Sequence, residues 1–254
     1  MKVSNGKQNQ LSVWILAIVV MLGVLPGILA QSPAGPVSEP GKAPPDLSGL
    51  WVPARVFNGR NFRFSLEDPP LQPWAMEIFK RNRAGVTDPR EPAVDEIDPT
   101  TYCYPKGATR VMVRYPFRII QSPTIVVLLI EINDGVRQIF VDGRPHPEGW
   151  PFGWMGHSIG KYEGDTLVVD TVGLNDRTWI DAGGTPHSDA LHVVERFRRI
   201  RPDTLEIEFL FEDPKAFTRP WGAKKLYQLR PEMDVLEQIA CEEYLQIGKH
   251  REVK

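Results

Sequence analysis

Trp154-Met155-Gly156-His157-Ser158-Ile159-Gly160-Lys161-Tyr162-Glu163-Gly164-Asp165-Thr166-Leu167-Val168-Val169-Asp170-Thr171 reads as a β-hairpin. Two short segments of β character flank Glu163-Gly164, and Gly accepts the positive φ that a tight hairpin turn demands. With Glu163 and Gly164 as a two-residue loop, Tyr162 stands opposite Asp165 and His157 stands opposite Asp170. Directly opposed residues share a face, close enough for an imidazole–carboxylate hydrogen bond. The stretch thus predicts a strand pair and, within it, an acid–base pair. A one-residue slip would send the two side chains to opposite faces.

Strand signals continue outward on both sides. Residues 118–121, 125–132 and 136–141 are apolar and β-branched, with Asn133-Asp134-Gly135 as a turn. Residues 191–200 and 205–211 form a second hairpin around Arg201-Pro202-Asp203. In that register Arg196 and Arg198 face Glu208 and Glu206, a solvated charge-paired surface. Leu191, Val193, Glu195 and Phe197 then face Leu205, Ile207, Phe209 and Phe211. Residues 48–52 open the domain and 225–229 add a strand. Residues 88–101 read as an irregular loop, and helical patterning is confined to 74–83 and 234–245. Many meander-type strands, few helices and no βαβ spacing predict an all-β, antiparallel calycin-like (lipocalin-like) barrel with one or two short helices. Closure removes exposed edges, and about eight strands leave room for side chains or one small ligand.

The ends differ in kind from this domain. Lys2 and Lys7 precede an apolar stretch over residues 11–30, the order of a secretory signal peptide. The rival reading of residues 1–30 is an uncleaved N-terminal anchor; either way the domain is periplasmic or secreted. Residues 31–45 are a Pro/Gly/Ser-rich linker, and 46–249 form a single domain. Cys103 and Cys241 are the only cysteines, and in an oxidising compartment a disulfide between them is the default. The net charge of −2 and the lack of a basic stripe argue against nucleic acid as a partner.

Four of the five histidines fall between residues 146 and 192, at loops and strand ends. The catalytic candidates are His157, oriented by Asp170, with His187 and Glu195 as acids. A neutral imidazole exchanges protons near neutrality, and an inward Glu in apolar surroundings holds its proton more tightly. The bland alternatives are a cross-strand polar pair for His157 and Asp170, and a Glu195 tied to an Arg. Trp150, Trp154, Trp179 and Trp221 lie near the same loops and are candidates to stack on a ligand. Ser158 fits the G-x-S-x-G pattern, but a strand follows it where a hydrolase elbow needs a helix. His187 and His192 lack ligand spacing, and there is no dinucleotide fingerprint or P-loop, so no metal and no cofactor is expected.

Gly49 and Trp51 in Asp46-Leu47-Ser48-Gly49-Leu50-Trp51 resemble the G-x-W signature at the first strand of lipocalins. In that family the Trp packs across the bottom of the barrel. Four further runs are similar to a widespread family of exported bacterial proteins of unassigned function. They are Phe140-Val141-Asp142-Gly143-Arg144-Pro145-His146-Pro147, residues 155–171, residues 186–197, and Asp213-Pro214-Lys215-Ala216-Phe217-Thr218-Arg219-Pro220-Trp221. That resemblance implies export and a shared fold, and no reaction. Two functional expectations follow for the partner, a small organic molecule. One is a cofactor-independent lyase, isomerase, hydratase or cyclase with His157 as base; the other is a non-catalytic carrier or scavenger of a small apolar ligand.

Overall fold

The computed structural model describes residues 43–54, 63–87, 98–132 and 135–235. Nine strands close into one barrel: β1 (Gly49–Pro53), β2 (Phe117–Gln121), β3 (Ile125–Ile130), β4 (Gly135–Phe140), β5 (His157–Glu163), β6 (Thr166–Val172), β7 (His192–Arg201), β8 (Thr204–Glu212) and β9 (Trp221–Leu229). Strand order follows the chain, and β9 returns to pair with β1. Helix α1 (Pro73–Thr87) runs past the expected 74–83. A second helix, α2 (Gly107–Arg114), has seven buried residues, Gly107 to Val113, and its Met112 carbonyl accepts from Tyr227 Oη at 2.7 Å. Sequence patterning missed α2 because its eight residues fall short of the stretch over which helical periodicity can be read. A 3-10 turn, Pro99–Tyr102, lies in the expected loop and ends at Cys103, at φ 62°. The expected signal or anchor, most of the linker, nearly all of the 234–245 helix and Cys241, with its pairing to Cys103, lie outside the described residues.

Alternation along each strand sorts side chains into two sets. Inward residues Trp51, Phe117, Leu128, Ile139, Val169, Phe197, Ile207, Phe211 and Tyr227 are fully buried and fill the interior. The space reserved for a ligand is therefore occupied by core. Trp51 Nε1 donates to the Leu47 carbonyl at 2.8 Å, and the Arg199 guanidinium lies 5.6 Å from its ring centre. Trp221 belongs to this packing, 4.5 Å from Phe211 and 5.7 Å from Phe217 between ring centres. It begins β9 and lines neither of the two cavities described below.

Two registers differ from expectation. The central hairpin turns at Gly164-Asp165, pairing Glu163 with Thr166, so Ile159 opposes Asp170 and His157 opposes Val172. The positive φ falls on Gly164 at 61° in either frame, so turn chemistry alone could not choose between them. In the second hairpin Arg198 opposes Glu206 and Arg196 opposes Glu208 as expected, with a register shift between Arg199 and Arg201. The ion pairs nonetheless cross the neighbouring strands. Arg196 binds Glu163 and Arg198 binds Asp165, both at 3.1 Å, while Glu206 and Glu208 share Lys224.

One junction departs from the antiparallel pattern. β4 and β5 run parallel and pair only at Ile139 with Ser158 and Phe140 with Ile159. A parallel connection needs a long crossover, and residues 141–156 supply it along the outer wall. Gly156 ends this crossover at φ 61°, and a Cβ there would sit 2.5 Å from the Val172 carbonyl oxygen. Gly156→Ala is expected to lower unfolding free energy by about 2 kcal/mol or more, from the left-handed backbone and the contact together. A urea midpoint equal to wild type would refute this. Among the described residues, no helix is long and apolar enough to cross a membrane.

Candidate functional site

Where β4 and β5 part, a crevice of about 220 Å³ opens on the barrel wall. Val136, Gln138, Phe140, Trp150, Met155 and His157 line it, with Arg137 and Ser158 at its floor. His157 projects outward from β5 yet is only 4% exposed. The crossover covers it: Trp150 lies 4.7 Å from its ring centre, and Phe140 stacks on it at 5.4 Å. Backbone bonds pin the cover, from Gly153 N to Gly173 O and from Asn175 N to Gly153 O, each 2.9 Å.

His157 and Asp170 share a face, as the sequence predicts, and it is the outer one, but they do not touch. His146, from the crossover, stands between them. Its Nδ1 lies 2.8 Å from His157 Nδ1 and its Nε2 lies 3.0 Å from Asp170 Oδ1. Beyond Asp170 the chain continues through His192, whose Nε2 reaches Asp170 Oδ1 at 3.0 Å and whose Nδ1 reaches Glu212 Oε2 at 2.8 Å. His146 and Glu212 were not singled out as catalytic by sequence. The one signal for His146 is its backbone, held between Pro145 and Pro147.

The donor pattern assigns the tautomers. Asp170 accepts, so His146 and His192 both carry hydrogen on Nε2. With its hydrogen on Nε2 alone, His146 accepts at Nδ1, His157 donates from Nδ1, and His157 Nε2 is left with a lone pair. Among the described residues nothing hydrogen-bonds that Nε2. Burial, then the charges of His146 and Arg144, push the His157 pKa below its ordinary value, so the ring is neutral near pH 7. His192 is the opposite case. The hydrogen bond to Asp170 raises its pKa, with Asp170 and Glu212 charge adding to this. The bonds and charges of His192 and His146 keep Asp170 ionised below the usual carboxylate range despite its partial burial.

A raised histidine pKa stabilises the fold fully below the unfolded value near 6.5, and that contribution fades as pH rises through the folded pKa. The urea-midpoint gap between wild type and His192→Gln should therefore be widest at pH 5.5 and shrink towards pH 8.5. A gap that grows with pH would contradict the two-carboxylate environment.

Glu195 does face inward, but it is no free acid. Arg137 Nη1 donates to Glu195 Oε1 at 2.9 Å, and Nη2 donates to Glu195 Oε2 and, at 2.9 Å, to Thr171 Oγ1. Arg137 Nε donates to Ser158 Oγ at 3.3 Å, which is itself 2.9 Å from Thr171 Oγ1. Both charged side chains are 1% exposed. Arg137 escaped sequence reading, although Gly135, Arg137 and Ile139 share the inward parity of β4.

The remaining candidates are dispersed. His187 and Trp179 line a separate cleft of about 350 Å³, so His187 does not join His157 as its acid. Trp154 lines neither cavity; its ring lies 5.4 Å from that of Tyr104 and its carbonyl accepts from Ala108 N at 3.1 Å. Among the described residues no group of three or more His, Cys, Asp or Glu is arranged to hold a metal ion. No protein-family model matches the chain, and no curated protein matches it.

Proposed function

We propose that the crevice at His157 is the site of an acid–base enzyme, a lyase or isomerase acting on a small organic substrate. The supporting observation is the lone pair of His157 Nε2, held at the crevice by the chain through His146 to Asp170. A base in this setting takes a proton from carbon and becomes imidazolium. Its Nδ1–H then strengthens its bond to His146, and the Asp170 carboxylate offsets the new charge. The same nitrogen can return the proton to a neighbouring carbon or to a leaving group, which one-base isomerases and lyases require. Phe140 and Trp150 give the substrate apolar walls, and Gln138 offers an amide. The core side chains in the barrel interior favour this reading over a carrier with its ligand held there.

The proposal keeps the domain exported, supported by the Lys2/Lys7 and apolar 11–30 pattern, and pairs Cys103 with Cys241. Deuterium exchange at the α-carbons of small aromatic ketones, phenylacetone among them, tests the chemistry in D2O by NMR. Wild type should exceed free imidazole at equal concentration. Its rate should fall with acidity only below pH 6.5, because His157 titrates below its ordinary value. Exchange no faster than imidazole across the panel would refute the proposal.

A further inference from the structure

The cleft around His187 lies between α1, the β6–β7 connection and the 3-10 turn. Its volume of about 350 Å³ falls within the range of small-molecule sites. Trp74, Ile78, Pro99, Trp179 and Pro186 make it predominantly apolar; its buried polar side chains are Asn82 and Thr178, which donate to the Gly184 and Lys106 carbonyls, and His187, 6% exposed.

The walls are fixed by bonds that leave the cleft open. Trp74 Nε1 donates to the Lys215 carbonyl at 2.8 Å. The Arg110 guanidinium stacks over Trp179 at 5.1 Å and is itself held by Asp98, 2.8 Å from Nη1 to Oδ1. Asn82 Nδ2 ties α1 to the Gly184 carbonyl at 3.0 Å. Asp213 clamps the segment bearing His187, accepting from Ser188 N at 2.7 Å and Ser188 Oγ at 2.8 Å. A site built this way spends little free energy on ordering when it binds.

His187 Nδ1 lies 2.9 Å from the Ser188 carbonyl, which only accepts, so Nδ1 carries the hydrogen. Nε2 therefore presents a lone pair, and no described residue donates to it. Burial lowers the His187 pKa and keeps the ring neutral. In this largely apolar lining, a hydrogen bond donated to that lone pair is electrostatically stronger than one made in water. We infer that this cleft binds a small aromatic molecule bearing a hydroxyl donor, a phenol, with its ring against Trp74 and Trp179 and its O–H donating to His187 Nε2.

The inference does not depend on catalysis at His157, and its test keeps the two apart. The probes are 4-fluorophenol and 4-fluoroanisole, which differ in the donor, titrated by 19F NMR against the intact domain. The phenol should bind about tenfold more tightly than the anisole. His187→Phe should erase that preference, and His157→Gln should leave it intact. The 15N resonance of His187 Nε2 in wild type should shift with the phenol and stay with the anisole, a readout that stands even if His187→Phe does not fold. Equal affinity for the probes, a preference that survives in a folded His187→Phe protein, loss of the preference in His157→Gln, or a silent His187 Nε2 would each overturn the inference.

Discussion

Glu195→Ala should lower the unfolding free energy by about 3–5 kcal/mol, the cost expected when one partner of a buried ion pair is removed. The expectation rests on where the survivor is left. Arg137 is 1% exposed, and its bidentate partner is Glu195, with Ser158 and Thr171 supplying only neutral oxygens. Without the carboxylate, a guanidinium that cannot shed its proton stays inside the barrel with one full charge uncompensated. The converse follows from the same physics. Desolvating both ions nearly cancels their attraction, so Arg137→Met with Glu195→Leu should regain most of the loss. Guanidinium denaturation of wild type, the single variant and the double variant checks this. A single variant within 1 kcal/mol of wild type would show that water reaches Arg137 through the crevice. A double variant no better than the single would show that the pair is needed for the fold itself.

His157→Gln should reduce proton exchange by about 10²–10⁴-fold, the usual worth of a positioned acid–base group. Gln keeps volume and hydrogen bonding but has no basic lone pair at that place. Asp170→Asn should cost less, roughly tenfold or more, because the base survives while the charge that offsets its imidazolium is gone. Asn also donates as readily as it accepts, so His146 is no longer held with its hydrogen on Nε2. His146 is a positioning residue: His146→Gln should move the acid limb of the pH profile, since the His146 charge is among the causes that lower the His157 pKa. Equal exchange in wild type and a folded His157→Gln protein would remove His157 from the chemistry. A flat response to Asp170→Asn would leave His157 acting without the chain behind it.

The extent to which sequence foresaw this site is best judged at the central hairpin. The predicted loop was Glu163-Gly164 and the observed loop is Gly164-Asp165, a change of two in the pairing sum. Such a shift preserves faces, because side-chain direction repeats every two residues. His157 and Asp170 therefore remained on one face although they ceased to be opposite. The gap is what His146 fills, and no strand rule reaches it, since His146 arrives from a crossover whose path depends on the parallel β4–β5 junction. Glu195 was legible as inward for the same parity reason. Its partner was not, because Arg137 stands on a strand three places away around the barrel.

The separation of His157 from His187 carries the same lesson. Both are loop-flanked histidines in a short stretch of sequence, which is why one site was expected. The structure sends one to the outer wall beneath Trp150 and the other to the cleft beside α1. The filled interior was likewise invisible, since inward apolar residues read alike whether they line a cavity or pack one another.

The all-β class, the alternation of faces, the inward direction of Glu195 and the shared face of His157 and Asp170 followed from the sequence alone, because alternation and turn preference are properties of adjacent residues. Closure of the barrel decided the rest: the ion pair inside the wall, the histidine chain on it and the two separate cavities. Those depend on which distant segments meet, and that is set by packing the whole core at once.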